Sequence, residues 1–304
     1  MWKKLDKSLF LPPWKRRLAE TITKVELSLQ TRKIDVLCLL NEEYAILIED
    51  KTSTQQHSGQ LAIYYDDILS RNFSPERVLP IYFKTHEQCN YEEVHKHGYK
   101  VFSRDQLLSI LNGCSSKNAI FVDFRDRIAG LKNEFQSYRE LPLHQWHGNS
   151  WIGFYKELQS VLQEELELGE DCWGYTPNQS GGFQHFSWGW QHDDEFDCGV
   201  FMQLEQSKFC FKIGEPPKEK RREARSKWHE IFERYAEEQG FQVDRPGRFG
   251  NGEYMTVSVL RGTYRITRDD GLLDLPLTIQ HLKKVNDGFK RIVAKGIEDS
   301  KSKL

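Results

Sequence analysis

The chain has 304 residues, of which 29% are charged and 38% are hydrophobic, and its formal net charge is −2 at pH 7. This composition excludes a disordered chain and is typical of a soluble globular protein with enough residues for two domains. It also excludes a protein that is basic throughout, so any nucleic acid would have to be bound through local patches.

The sequence carries no clear signal for a membrane or for export. No apolar run approaches the ~20 residues that a membrane span needs. The basic N-terminal stretch lacks the long apolar core and the cleavage site of a signal peptide. The six cysteines contain no CxxC pair, a pattern that favours reduced thiols over disulfides or structural zinc. We therefore expect a cytoplasmic protein without a membrane partner.

Two local patches are basic. Residues 1–24 carry seven Lys or Arg against two acids, and residues 216–227 carry six against two. A patch of this kind is more often a solvated face than a binding site, so neither patch alone predicts a nucleic-acid partner.

The first half of the chain reads as alternating strands and helices. Residues 25–51 predict three strands, "VELSL", "KIDVLCLL" and "YAILIEDK". A helix is expected at about 55–71 and a strand at 78–85. The segment 99–111 predicts a short strand that runs into a helix, and 118–135 predicts a further helix.

A hinge is expected at 140–150, where "ELPLHQWHGNS" contains Pro and Gly and has no periodicity. It divides the chain into a domain of residues 1–145 and a smaller α+β domain of residues 146–304. The second domain is expected to contain a helix from 151, aromatic-rich strands, a helix that ends near Gly240, another strand and a terminal helix.

Aromatic residues are dense in the strands of the second half. They are Trp173, Tyr175, Phe183, Phe186, Trp188 and Trp190. Such residues can form a stacking surface for bases or another ligand. Aromatic side chains of strands are more often packed in a core, which is the favoured interpretation. The acids of "HDDEFD" (192–197) are more typical of a solvated strand start than of a second metal site.

Three polar residues, Asn41, Glu42 and Glu43, separate the second and third predicted strands. A hairpin loop centred on residue 42 makes opposed residue numbers add to 84, provided that no bulge shifts the register. Asp35 then faces Glu49. Lys51 lies on the same side, whereas Asp50 points away.

Two opposed carboxylates repel each other unless a positive group lies between them. Mg²⁺ binds one or two carboxylates together with waters and phosphate oxygens, and the main-chain carbonyl of Asp50 could add a ligand. Lys51 could then act on the attacking water or stabilise the transition state of a phosphoryl reaction. The hairpin is equally compatible with a structural cluster in which Lys51 bridges Asp35 and Glu49.

Gln60 and Tyr64 follow at helical i, i+4 spacing. The pattern Asp35, Glu49-Asp50-Lys51, Gln60-x-x-x-Tyr64 resembles the PD-(D/E)XK nuclease superfamily, in particular its RecB-like members with a QxxxY helix. The resemblance covers roughly residues 15–125. It implies an α/β fold with a restriction-endonuclease-like αβββαβ core and a mixed sheet.

The resemblance also implies roles for individual residues. Asp35 and Glu49 would hold Mg²⁺ or Mn²⁺, to which the main-chain carbonyl of Asp50 could add a ligand, and Lys51 would be the catalytic lysine. Gln60 and Tyr64 would orient that lysine or contact the nucleic-acid backbone.

Three further positions bear on the resemblance. Glu20 is the candidate for a further metal ligand from the first helix, with Glu26 as its rival. His57 lies near enough in sequence to touch a phosphate, or is a loop residue without a role. One departure is that Ile34, not proline, precedes Asp35.

The expected function is therefore a Mg²⁺-dependent nuclease that hydrolyses phosphodiester bonds, with DNA as the expected substrate, in a bacterial or phage defence, repair or mobile-element context. The alternative is a catalytically inactive nuclease-fold protein that binds nucleic acid or another protein. A third interpretation is a regulated effector. In each case the C-terminal domain is a candidate for contacts with a second copy or a protein partner.

Overall fold

The computed structural model describes residues 21–31, 34–52, 54, 59–179 and 181–301. The chain divides into two compact units, the first ending at Glu134 and the second beginning at Phe135. Both units combine helices with a sheet, so the protein is mixed α/β. In the part of the chain described here, no helix is long and apolar enough to cross a membrane.

The division falls earlier than the boundary expected at residue 145, and the second unit spans the longer stretch of chain. The reason is aromatic packing ahead of the expected hinge. The ring of Tyr138 lies against Trp146 and Phe154, with centroids 6.1 and 6.2 Å away. The segment before residue 140 is therefore held in the core of the second unit.

The strands of the first unit are β1 (Val25–Thr31), β2 (Ile34–Leu40), β3 (Tyr44–Lys51), β4 (Val78–Lys84) and β5 (Lys100–Ser103). The helices of this part of the chain are α1 (Gln60–Leu69), α2 (Glu92–Lys96), α3 (Arg104–Asn112) and α4 (Ala119–Gln136). Within the described residues the strands form one five-stranded sheet in the order β1-β2-β3-β4-β5, called here the mixed sheet. The first three strands are antiparallel, and β4 and β5 run parallel to β3.

The hairpin between β2 and β3 has the predicted register. Five residue pairs, from Val36–Ile48 to Leu40–Tyr44, have numbers that add to 84. Asn41 and Glu42 both have positive φ angles, and the main-chain N–H of Glu43 donates to the carbonyl of Leu40. Asn41 suits this turn because asparagine tolerates the left-handed region.

One face of the mixed sheet is covered by α1. Leu37 of β2, Leu47 of β3 and Tyr82 of β4 are buried in one cluster with Leu61 and Ile68 of α1. The helix begins at Gln60, directly after Gly59, whose φ of 74° lies in the left-handed region. Residues 55–58, where the sequence analysis expects the first residues of this helix, lie outside the described residues.

The opposite face of the mixed sheet forms a separate, smaller apolar cluster. Its buried members are Cys38, Leu40, Ile46 and Leu79. A third cluster joins α3 to α4 through Leu108, Leu111, Ile128 and Leu131.

The second unit contains β6 (Trp173–Thr176), β7 (Phe183–Asp193), β8 (Cys198–Glu205), β9 (Lys208–Gly214), β10 (Val243–Asp244) and β11 (Tyr254–Leu260). Its helices are α5 (Gly148–Leu162), α6 (Arg221–Tyr235) and α7 (Leu275–Lys301). In the described part of the unit the strands form a six-stranded sheet in the order β10-β11-β9-β8-β7-β6, and every neighbouring pair is antiparallel. We call it the antiparallel sheet.

The aromatic residues of this sheet have two different environments. Trp173, Phe186 and Trp188 are buried, whereas Tyr175 and Trp190 are exposed. Trp188 and Trp190 would share a face on a regular strand. A bulge shifts the register between them, because Trp188 pairs with Met202 and Gln191 pairs with Val200. Gly189 inside the bulge has a φ of 72°, a conformation that glycine adopts without strain.

The acids of "HDDEFD" have structural partners. Asp193 is buried and accepts hydrogen bonds from the indole N–H of Trp228, at 2.8 Å, and from the main-chain N–H of Glu195, at 3.1 Å. His192 lies near the exposed Asp194 and Asp197. These contacts explain the cluster as a fixed loop between β7 and β8.

Candidate functional site

The candidate site lies where β3 and β4 end, on the face of the mixed sheet that α1 covers. Glu49 is paired with Tyr82 and Lys51 with Lys84 in the parallel ladder between the two strands. Because alternate residues of a strand share a face, Glu49, Lys51 and Lys84 lie on the same side as the apolar cluster of α1. A row of apolar residues thus ends in three ionisable ones.

Glu49 is the most buried member, with 1% of the residue exposed. Its Oε1 atom lies 2.6 Å from Nζ of Lys51 and accepts a hydrogen bond from Nε2 of Gln60 at 2.8 Å. Its Oε2 atom is buried and has no hydrogen-bond partner. An unpartnered buried carboxylate oxygen costs free energy, and such an atom calls for an explanation.

Gln60 and Tyr64 are brought to Glu49 by the first turns of α1. The Nε2 amide of Gln60 donates both to Glu49 and to the hydroxyl oxygen of Tyr64, the second at 2.9 Å. The i, i+4 spacing places the two α1 side chains one above the other, and Tyr64 is itself buried. The orientation of the amide is therefore fixed from two sides.

Asp35 lies near the start of β2, just outside the ladder with β3. The ladder's outermost pair at this edge is Val36–Ile48, and beyond it the Oδ2 atom of Asp35 accepts a hydrogen bond from the main-chain N–H of Asp50 at 2.8 Å. The carboxylate thus takes the place of a ladder partner. It lies close enough to Glu49 to affect the ionisation of that residue.

The pKa of Glu49 is raised. Burial is the largest cause, and the neighbouring charge of Asp35 adds to it, whereas the hydrogen bond and charge of Lys51 act in the opposite direction. The ion pair with Lys51 therefore does not fully compensate for the removal of the Glu49 carboxylate from water.

Asp50 is exposed, unlike its neighbours Glu49 and Lys51. Partial desolvation of its carboxyl and the charge of Asp35 raise its pKa, although Lys51 and Lys84 oppose this. Its side chain is separated from the face that α1 covers, as the alternation of a strand requires.

Lys84 belongs to the site but was not among the residues that the sequence pattern indicated. The residue is 2% exposed, and its ammonium group donates to the main-chain carbonyl of Thr54 in the segment between β3 and α1. Burial, followed by the positive charge of Lys51, lowers the pKa of Lys84 to about 8. The site therefore contains two lysines.

The remaining sequence candidates do not join this group. Glu20 and His57 lie outside the described residues. Glu26 is in β1, which β2 separates from β3, and its carboxylate forms an exposed ion pair with Lys24 at 2.6 Å. The structure therefore does not bring Glu26 to the site.

The residues at the site fit a hard divalent cation that takes only a few of its ligands from the protein. Among the described residues, no three His, Cys, Asp or Glu side chains are grouped so as to hold a metal. Mg²⁺, however, is commonly bound by one or two carboxylates together with waters and substrate oxygens. Asp35 and Glu49 are two neighbouring carboxylates, and the unpartnered Oε2 of Glu49 is a suitable donor atom.

Comparison with family models, with curated proteins and with solved structures gave no match to this chain. The chemistry of the site therefore has to be argued from its own geometry.

Proposed function

We propose that this protein is a Mg²⁺-dependent nuclease of the PD-(D/E)XK type that hydrolyses phosphodiester bonds, with DNA as the expected substrate. The observation that carries the proposal is the environment of Glu49. One oxygen of this buried carboxylate is held by Lys51 and Gln60. The other oxygen has no hydrogen-bond partner, and the carboxylate of Asp35 lies near enough to act on the same group. A purely structural ion pair does not require an orphaned oxygen.

Glu49 and Asp35 would hold the metal ion, with the carbonyl oxygen of Asp50 as a further ligand. When bound, the ion would supply Lewis-acid activation of water and charge stabilisation on the phosphate. The raised pKa of Glu49 is consistent with this role. Lys51 by itself does not stabilise the ionised carboxylate enough to offset its burial, and a bound cation would do so.

Lys51 would donate a hydrogen bond from Nζ to a phosphate oxygen on which negative charge develops. Its ammonium group is 2.6 Å from Glu49, and its side chain is only 12% exposed. The contact with Glu49 limits the rotamers of the lysine, which lowers the cost of orienting it for reaction.

Gln60 and Tyr64 are positioning residues in this scheme. The amide of Gln60 donates to Glu49 and Tyr64 at once, so it holds the Glu49 carboxylate in one orientation. The hydroxyl of Tyr64 in turn fixes the amide. This arrangement keeps Oε2 of Glu49 available for a ligand.

A second candidate function is that of an inactive nuclease-fold protein that binds nucleic acid or another protein. The observation in its favour is the short Lys51–Glu49 ion pair, which neutralises part of the charge without a metal. In this case the two acids and Lys51 would be a structural cluster.

The test is a cleavage assay on the purified protein with plasmid, linear and single-stranded DNA and with RNA, in Mg²⁺, Mn²⁺ or EDTA. We expect cleavage that requires the metal and is lost in Glu49→Gln. The matched control is Glu43→Gln, an exposed acid in the loop of the same hairpin, which should cleave like wild type. No cleavage of any substrate with either metal would favour the second candidate. Cleavage that persists in Glu49→Gln would rule out this site.

A further inference from the structure

A group of arginines in the second unit has no role in the site described above. Arg222 and Arg225 are three residues apart in the first turns of α6, so they share one face of the helix. Arg245 comes from the segment between β10 and β11. Arg222 and Arg245 are exposed, and Arg225 is half-buried. We call these three residues the arginine cluster.

Phe249 holds two members of the cluster together. The guanidinium carbon of Arg225 lies 4.6 Å from the centroid of the Phe249 ring, and that of Arg245 lies 4.3 Å away. Nη1 of Arg225 also donates to the carbonyl of Gly250, whereas its Nε is buried without a hydrogen-bond partner. The guanidinium groups are thus fixed in place by an aromatic ring and the main chain.

Three other cations of the basic stretch 216–227 contrast with the cluster. Nζ of Lys220 donates to the carbonyl of Glu195 at 2.7 Å, and Lys227 forms an ion pair with the Glu195 carboxylate. Arg221 lies 3.6 Å from the carboxylate of Glu253. These cations therefore have partners within the chain.

The arginine cluster has none of this compensation. Within the residues that the structure describes, no carboxylate forms an ion pair with Arg222, Arg225 or Arg245. The acid next to Arg245 in the sequence, Asp244, is bound by Arg261 at 2.7 and 2.8 Å. Partial burial is the largest cause of a lowered pKa of Arg225, and the repulsion from Arg222 and Arg245 adds to it.

The helix adds to the positive potential. Arg222 and Arg225 lie at the N-terminal end of α6, where the helix dipole is positive, and the first turn contains one acid, Glu223. The positive charges of Arg222 and Arg225 therefore repel each other and are also repelled by the positive end of the helix dipole. An anionic ligand would offset both costs, and the flat guanidinium fork suits phosphate oxygens.

We propose that the arginine cluster binds the phosphates of a nucleic-acid backbone. The choice of nucleic acid as the anion rests on the proposed nuclease function. Because two guanidinium groups already lie against the Phe249 ring, the contact is to the backbone rather than to stacked bases. Phosphate contacts of this kind position a nucleic acid without reading its sequence.

The experiment measures affinity for a fluorescent oligonucleotide, single- or double-stranded, by anisotropy over a series of salt concentrations. EDTA is present so that no metal-dependent cleavage occurs. The test variant is Arg222→Gln/Arg245→Gln, two exposed positions. The matched control is Arg234→Gln/Arg268→Gln, which removes the same charge at arginines that are paired with Asp299 and Asp270.

We expect the test variant to bind more weakly, with a slope of log affinity against log salt that is smaller by about 1.8 for a duplex or about 1.4 for a single strand, as loss of two phosphate contacts predicts. The control should keep the wild-type slope. An unchanged slope in the test variant, or an equal decrease in the control, would overturn the proposal. Equal competition by inorganic phosphate at matched phosphate concentration would overturn the assignment to nucleic acid.

The result separates this site from the nuclease site. Metal-dependent cleavage together with unchanged binding in the test variant would reject the arginine cluster alone. Loss of binding in that variant, from a protein that cleaves nothing with any metal, would support the cluster and reject the nuclease.

Discussion

The mixed sheet and the antiparallel sheet each bury one face under helices, but they fill that face differently. Under α1 the mixed sheet buries leucines and then, at its end, Glu49 and Lys84. The antiparallel sheet buries aromatic rings, among them Phe209 and Phe211, whose centroids are 5.3 Å apart. Both faces exclude water, but the first ends in a group of ionisable side chains, whereas the buried Asp193 of the antiparallel sheet is hydrogen-bonded to Trp228 and to the main chain of Glu195.

The difference indicates where stability and chemistry are located. A buried ionisable group is costly unless it is well paired, and its pKa shifts as a result. Glu49 and Lys84 both have pKa values shifted towards their neutral forms. Buried aromatic side chains contribute apolar area and ring contacts without such a cost. Groups shifted in this way cluster at functional sites more often than elsewhere.

The largest expected effect is that of Lys51→Ala, which tests whether the buried charges of the mixed sheet serve a reaction. If the buried charges serve catalysis, cleavage should fall by about 10²-fold or more, because a group that stabilises the transition state is lost. Affinity for nucleic acid, measured in EDTA, should change little, since one lysine is a small part of a phosphate-contacting surface. The matched control, Lys100→Ala, alters an exposed lysine of β5 in the same sheet and should cleave normally. Full activity of Lys51→Ala would remove the catalytic role.

The next largest effect concerns metal and thermal stability. Mg²⁺ or Mn²⁺ at 100 times its Kd should stabilise the wild-type protein by about 2.7 kcal/mol. Asp35→Asn/Glu49→Gln should lose this response, whereas Glu42→Gln/Glu43→Gln in the hairpin loop should keep it. Thermal melts of the three proteins with and without metal provide the measurement.

The metal-free melts test the sign of the Glu49 shift. A raised pKa means that the folded protein favours the protonated carboxyl, so stability is lost as pH rises from 4.5, the ordinary pKa of a glutamate, through the higher pKa of the folded state. At pH 7 the metal-free double variant should therefore melt higher than metal-free wild type. If the acids and Lys51 are a structural cluster, the metal has little effect and the double variant is destabilised by an unpaired lysine.

Part of this site could be predicted from the sequence. The polar loop 41–43 between two apolar strands fixed the hairpin register, and the i, i+4 spacing brought Gln60 and Tyr64 together. Lys84 could not be found in this way. It meets Lys51 through parallel pairing of β3 with β4, whose register depends on how the intervening segment packs.

The two tryptophans of β7 show the same limit of prediction from sequence. Strand alternation places Trp188 and Trp190 together, whereas the bulge at Gly189 separates them. A bulge adds one residue to one strand and has little local sequence signal besides a glycine. Local patterns therefore predict hairpins and helix faces, but not tertiary register.

Lys84 offers an effect on stability with a defined pH window. Its pKa falls from 10.5 to about 8, so the unfolded chain binds more protons between these values. Wild-type stability relative to Lys84→Met should therefore rise from pH 8 towards pH 10.5, by at most about 1.4 kcal/mol per pH unit. Denaturant unfolding at several pH values measures this difference. Lys100→Met, at an exposed lysine, should show no such pH-dependent difference from wild type. A difference for Lys84→Met that does not change with pH would mean that folding does not lower the pKa of Lys84.

The smallest effect compares two tryptophans of β7. Trp188 is buried and its indole N–H donates to Oδ1 of Asn286 at 3.1 Å. Trp188→Phe removes this donor and some apolar volume, which should lower the free energy of unfolding by about 1–2 kcal/mol. Trp190 is 53% exposed and stacks on Phe201 with centroids 3.8 Å apart. Trp190→Phe preserves an aromatic ring there and should cost no more than about 0.5 kcal/mol.

Denaturant unfolding of these two matched variants tests whether the bulge divides the strand into a core half and a surface half. Equal losses would mean that the bulge does not separate the two rings.

The exposed ring also permits a test of base stacking. Trp190→Ala should bind a single-stranded oligonucleotide in EDTA as wild type does, because the aromatic residues of this strand serve the fold. A loss of about 1–3 kcal/mol in binding would instead assign Trp190 to a stacking surface, and the antiparallel sheet would then share in recognition with the arginine cluster.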